Sequence, residues 1–91
     1  MIIHYFATLR TITGVNKERW SGTPATLEIL LGALCQKYGS EFRRWVAGED
    51  GRLGGLSILL VNGEDYRSLQ GMQTPLTAQD EVSIFPPMAG G

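Results

Sequence analysis

The sequence holds one cysteine and one histidine among its 91 residues, and each scarcity excludes a class of protein. A single cysteine closes no internal disulfide, so the fold rests on packing, as is usual in a reducing cytoplasm, the expected location. His4, the lone histidine, has no metal-ligand neighbour in sequence and no nucleophile motif, which argues against a zinc site and against a serine-type triad. Positive charge is also sparse. Lys plus Arg number 8 against 9 Asp plus Glu, the net charge is -1, and no basic run exceeds Arg43-Arg44. Nucleic acid is therefore not the expected partner, since it favours a basic stripe. Apolar runs such as Ile58–Val61 fall far short of the ~20 residues that span a bilayer. The opening Met1-Ile2-Ile3-His4-Tyr5-Phe6 lacks the features of a secretory signal and reads as a strand.

The chain is long enough for one compact domain, expected over residues 1–85, with a flexible tail over 86–91. Ile2 to Leu9, rich in β-branched and aromatic residues, suggests a strand running into a turn at Gly14, and Lys17 to Trp20 a second strand completing a hairpin. Leu27, Leu30, Leu31, Leu34, Cys35 and Tyr38 recur at the spacing of one apolar helix face, with Thr26 as N-cap and Gly39 as a left-handed C-cap. Glu41 to Val46 adds a short helical turn. Gly48 to Gly55 reads as an exposed loop, with Glu49, Asp50 and Arg52 solvated; it lacks the order of residues that cradles phosphate. Leu56 to Val61 reads as a buried strand, Asn62-Gly63 as a tight hairpin turn, and Asp65 to Arg67 as a short strand. Glu81 to Phe85 alternates as a half-buried strand and stops at Pro86-Pro87. The order implies an α+β domain with a mixed sheet of four to five strands and one main helix on one face.

The chemistry is expected at the ending Pro86-Pro87-Met88-Ala89-Gly90-Gly91. Two prolines stiffen the base, and Gly90 and Gly91 carry no side chain to collide with a narrow slot in another protein. At neutral pH the carboxylate of Gly91 is an oxygen nucleophile able to attack an activated phosphate, giving an acyl-adenylate open to sulfur. Phe85 falls on the polar face of the last strand, and Phe6 breaks the pattern of the first in the same way. If those strands are neighbours, the two rings form an apolar docking patch at the root of the tail; alternatively, a loop of the chain covers that face. Cys35, on the helix's apolar stripe, reads as a buried hydrophobe rather than a sulfur site.

Val61-Asn62-Gly63, the run Gly71-Met72-Gln73-Thr74-Pro75-Leu76, and above all Asp80 to Gly91 with its Phe-Pro-Pro-X-Ala-Gly-Gly ending resemble the MoaD family of molybdopterin synthase small subunits and its ubiquitin-like β-grasp relatives. Tyr5 to Arg10 is similar to that family's first strand. The resemblance implies a β-grasp fold and a sulfur carrier that binds no cofactor itself. It implies an E1-like enzyme that adenylates Gly91 with ATP, a sulfurtransferase system that makes the thiocarboxylate, and a large synthase subunit that uses the sulfur. It also implies docking through Phe6 and Phe85, with Tyr66 as a third member, and a tail from Pro86 through Pro87, Met88, Ala89 and Gly90 that threads the partner's site. The Gly48–Gly55 loop and the stretch from Asn62 to Thr74 are longer than in the most compact members, and longer forms also resemble archaeal modifiers and carriers for tungsten cofactors. Conjugation of Gly91 to lysines, sulfur delivery to thiamine or tRNA thiolation, and a binding module without chemistry are the alternatives.

Overall fold

The computed structural model describes residues 1–48, 50–55 and 57–87. Strands β1 (Ile2–Tyr5), β2 (Lys17–Arg19), β3 (Ile58–Val61), β4 (Glu64–Asp65) and β5 (Glu81–Phe85) form one mixed sheet in the order β2-β1-β5-β3-β4. Helices α1 (Thr8–Thr13), α2 (Leu27–Tyr38) and α3 (Ser40–Val46) accompany it. The first and last strands lie side by side at the centre, β1 parallel to β5, with Ile3 opposite Val82 and Tyr5 opposite Ile84. This is the ubiquitin-like β-grasp arrangement.

Helix α2 forms where the leucines repeat. Leu27, Leu30, Leu31 and Leu34 are each 0% exposed and pack with Ile3, Tyr5, Leu59, Val82 and Ile84 of the sheet in one core. At roughly 1.5–3 kcal/mol for each buried leucine, this stripe is what chiefly holds the helix against the sheet. Thr26 caps α2 by accepting from the Ile29 amide at 3.4 Å. Gly39 has the positive φ expected of it, 85°, but its ψ of -166° lies outside the left-handed helical region. The chain leaves α2 extended and enters α3 at the next residue, so one glycine closes one helix and opens another.

Edge strand β2 is tied across the core by Glu18. Its carboxylate accepts from the hydroxyls of Tyr5 and Tyr38 and from Lys37 Nζ, the last two at 2.6 and 2.7 Å. Burial pushes its pKa up, but the donors Lys37, Tyr38 and Tyr5 together outweigh burial and hold it below the usual carboxylate range. Burial, reinforced by the Glu18 charge, raises the Tyr5 hydroxyl.

Several expectations change. The first strand stops at Tyr5 instead of running to Leu9, because Ala7 adopts a φ of 53° and the next residues wind into α1, burying Leu9. The Gly48–Gly55 segment is only partly exposed. Gly48 N–H donates to Arg52 O at 2.7 Å, Gly54 N–H donates to Val46 O at 2.7 Å, and Gly54 is buried near Tyr66 and Met72. Asp50 and Arg52 are exposed as expected, whereas Glu49 lies outside the described residues. Strand β3 begins at Ile58 and is buried on one face only; Leu56 lies outside the described residues. Asn62 and Gly63, with φ of 53° and 84°, make the hairpin turn, but β4 ends at Asp65. There the Asp65 carboxylate accepts from the Arg67 amide at 2.8 Å and starts a 3-10 turn over Tyr66–Ser68 in place of a longer strand.

Candidate functional site

Alternation along β5 divides its side chains. Val82 and Ile84 are 0% exposed in the core, leaving Glu81, Ser83 and Phe85 on the opposite face. Register then assembles that face: Ile2 lies beside Glu81, His4 beside Ser83, Leu60 beside Ser83 and Ile58 beside Phe85. The apolar members Ile2, Ile58, Leu60 and Phe85 are half-buried and surround a polar centre, where His4 Nε2 and Glu81 Oε1 meet at 2.7 Å. Both elements of the pattern come from period-two geometry, which sends alternate residues to opposite faces.

Phe6 joins from just beyond β1. Its N–H donates to Ile84 O at 3.2 Å, extending the parallel ladder by one step, and its ring stacks on Phe85 with centroids 4.1 Å apart and planes 10° from parallel. Ala7 then turns the chain through a positive φ that is costly for a residue with a Cβ. The helix that follows brings the Arg10 guanidinium carbon to 5.4 Å from the Phe6 ring centroid, while Arg10 Nε donates to Tyr5 O at 3.1 Å. A cation over an aromatic face is an attractive arrangement. The root of the tail is thus two stacked rings with a positive charge beside them.

The structure brings Phe6 and Phe85 together as half-buried rings, each shielding the other. Tyr66 does not belong with them: it is 8% exposed and packs in the core, so it offers a partner little surface. Pro86 is buried and Pro87 half-buried, which makes them part of the folded body rather than of a free tail. Packing has claimed Pro86 because the sheet's last rung leads directly into it. Met88, Ala89, Gly90 and Gly91 lie outside the described residues. Cys35 is 8% exposed; burial raises its thiol, and Arg43 nearby only partly offsets this. Among the described residues, no group of three or more His, Cys, Asp or Glu side chains is arranged to hold a metal.

Sequence reasoning missed Arg10, Ile58 and Leu60. The alternation of Ile58 to Val61 is invisible in four consecutive apolar residues, and only the pairing with β5 decides which two face outward. For Arg10, the signal was its spacing from Phe6, legible only once a helix is known to begin at Thr8.

The fold and this face define a class: a small ubiquitin-like β-grasp protein whose central strand is followed in sequence by Gly90-Gly91. The chain matches the ThiS family over residues 3–91 and belongs to it, among the ubiquitin-like sulfur carriers of the MoaD and ThiS kind. It is 36% identical over 90 residues to small archaeal modifier protein 3 of Haloferax volcanii, covering 98% of this chain and 96% of that one. It is 34% identical over 88 residues to the molybdopterin synthase sulfur carrier subunit of Escherichia coli K12, covering 96% and 94%. The solution structure of small archaeal modifier protein 1 from Methanosarcina acetivorans superposes with a TM-score of 0.80 at 32% identity, covering 99% of this chain and 94% of that one.

Proposed function

We propose that this chain carries sulfur as a thiocarboxylate on Gly91 and delivers it, as the small subunit of a molybdopterin synthase, to form the dithiolene of the molybdenum or tungsten cofactor. The observation that carries the reading is the stacked Phe6–Phe85 pair at the end of the central strand, from which the sequence runs directly to Gly90-Gly91. The face around the rings docks the partner, and the ending, up to ~20 Å long if all six residues from Pro86 were extended, supplies the reach. With Pro86 packed into the body, the threading portion is Met88 to Gly91.

In the proposed cycle, an E1-like enzyme holds ATP and the Gly91 carboxylate attacks the α-phosphorus, releasing pyrophosphate. A sulfur nucleophile from a sulfurtransferase system then displaces AMP from the acyl carbon. The chain contributes a bare terminus and a handle, and the ATP chemistry resides on the partner. All of these components reside in the cytoplasm in this reading.

A second reading, conjugation of Gly91 to lysines, is favoured by the 36% identity to small archaeal modifier protein 3. It begins from the same acyl-adenylate. The two separate on incubation with the cognate E1-like enzyme, ATP, a sulfur donor and lysate protein. Intact mass of the carrier should rise by about 16 Da as sulfur replaces oxygen, and the product should restore dithiolene formation with a molybdopterin synthase large subunit. Lysine-linked adducts without the mass gain would favour the modifier. ATP turnover with neither product would refute both, and removal of Gly91 should abolish either.

A further inference from the structure

An activated Gly91 is an acyl donor, and the chain carries amines of its own that such a donor can acylate. They are few: six of the eight basic side chains are arginine, and the two lysines are Lys17 and Lys37. Lys37 is engaged on several sides. Its Nζ donates to Glu18 Oε2 at 2.7 Å and lies 5.4 Å from the Trp20 ring centroid and 5.2 Å from that of Tyr38. The side chain of Glu18 is only 14% exposed and is fixed by two tyrosine hydroxyls, so this anchor is not a loose surface pairing. The bond to Glu18 raises the Lys37 pKa and holds the nitrogen against that carboxylate. The amino group of Met1 donates to Ala78 O at 2.8 Å.

Both lysines are exposed, but the side chain of Lys17, which opens edge strand β2, makes no hydrogen bond or ion pair among the described residues. Its position is also favourable. Lys17 pairs with His4, which pairs in turn with Ser83, so Lys17 is two strands across from a residue two positions short of Phe85. At about 4.8 Å between strands and about 3.3 Å per residue along them, its Cα lies roughly 16 Å from the level of Pro87, within the combined span of Met88 to Gly91 and a lysine side chain.

We infer that Lys17 is the built-in acceptor amine of this chain, acylated by activated Gly91 of the same or a second copy, while the Glu18 clamp withholds Lys37. The inference rests on the activation of Gly91 proposed above. In the step, neutral Lys17 Nζ attacks the acyl carbon of the Gly91 adenylate, and the C–N bond forms. The bond from that carbon to the AMP oxygen breaks, AMP leaves with the electron pair, and the surplus proton on nitrogen passes to solvent. The product is an isopeptide, and ATP is the only co-reactant consumed.

The test has two arms on the full chain. In the first, the chain is incubated with the E1-like enzyme and ATP but no sulfur donor, while pyrophosphate release is followed. After trypsin, a branched peptide should join Thr11–Arg19 through Lys17 to Ser68–Gly91. A monomer lighter by one water, about 18 Da, marks the same-chain product, and a doubled mass marks the second-copy product. Lys17→Arg should remove both and leave thiocarboxylate formation unchanged when sulfur is supplied. Release of pyrophosphate with acylation at Lys37, or at neither lysine, would overturn the inference; no release is a failure of the activation step instead. The second arm needs no activation. With a limiting succinimidyl acetate reagent, Lys17 should be modified at least about threefold faster than Lys37, and Glu18→Gln should close the gap. Equal rates in the unmodified chain would refute the withholding of Lys37 by Glu18.

Discussion

The stacked pair at the root of the tail makes a prediction that separates folding from docking. Phe85 stands in the sheet's central strand, opposite Ile58, with one ring face against Phe6 and part of its surface exposed. Complete removal of a buried phenylalanine costs about 3–5 kcal/mol, so Phe85→Ala at this half-buried site should cost about 2 kcal/mol. For a chain of this size that lowers the melting temperature by roughly 10 °C. Part of the loss is the stack itself, expected at about 1 kcal/mol. Urea unfolding of the parent, Phe6→Ala, Phe85→Ala and the double variant should therefore show losses that fall short of additive by that amount. Phe85→Leu keeps apolar bulk and should lose mainly the coupling. Binding to the E1-like enzyme or a synthase large subunit, measured by calorimetry below the unfolding transition, should weaken by more than ~1 kcal/mol for Phe85→Ala. Additive unfolding losses would show that the rings do not act as a unit. Unchanged affinity in a folded variant would remove this face from the docking surface.

Other consequences are as direct. Because the folded pKa of Glu18 is held low, its contribution is present above the unfolded carboxylate value near 4.3 and is lost as pH falls through the lower folded value. Glu18→Gln should cost about 1 kcal/mol at neutral pH and flatten the acid limb of a stability-pH profile; an unaltered acid limb would show that Glu18 is not what titrates. Gly55→Ala places a Cβ 2.7 Å from Gly48 N at a φ of 47°, so a loss of about 2–3 kcal/mol is expected, and thermal unfolding within 2 °C of the parent would contradict this close approach of Gly55 to Gly48. Cys35→Ser should leave sulfur loading of Gly91 intact by intact mass, because the thiol lies in the core; loss of loading in the folded variant would reinstate it as a relay.

How much of this was legible depends on the range of the interactions involved. The leucine stripe of α2, the Asn62-Gly63 turn and the alternation of β5 are local signals, and each element lies where its pattern implied. The turn at Ala7 is not local. Nothing in Phe6-Ala7-Thr8 demands a positive φ, which is imposed by Leu9 seeking the core once Tyr5 has fixed the strand's end. The Gly48–Gly55 segment misled because glycine density suggests solvent, whereas Gly55 lets the Gly48 backbone approach too closely for a Cβ and Gly54 is buried against Tyr66 and Met72. Tyr66 misled in the opposite direction, as an aromatic credited to the surface that a 3-10 turn returns to the core. Phe6 and Phe85 could be paired from sequence only by assuming that the first and last strands adjoin, and the parallel register supplies that premise.

That register has a mechanical consequence for any carrier built this way. β5 is bonded on both sides, to β1 and β3, and Val82 and Ile84 fasten it to the helix-covered core, so a pull on the terminus is resisted by two ladders at once. Its outward side chains form the centre of the proposed docking face. The same five residues therefore set the origin of the ending and the place where a partner sits, and the distance between patch and carboxylate depends only on the residues after Phe85. With Pro86 already packed, that distance is set by Pro87 to Gly91. In the proposed cycle, a partner that seats the two rings meets the acyl carbon within the reach of those residues. Two different partners can then use one chain in turn, provided each keeps its reactive group at that same radius from its own docking pocket.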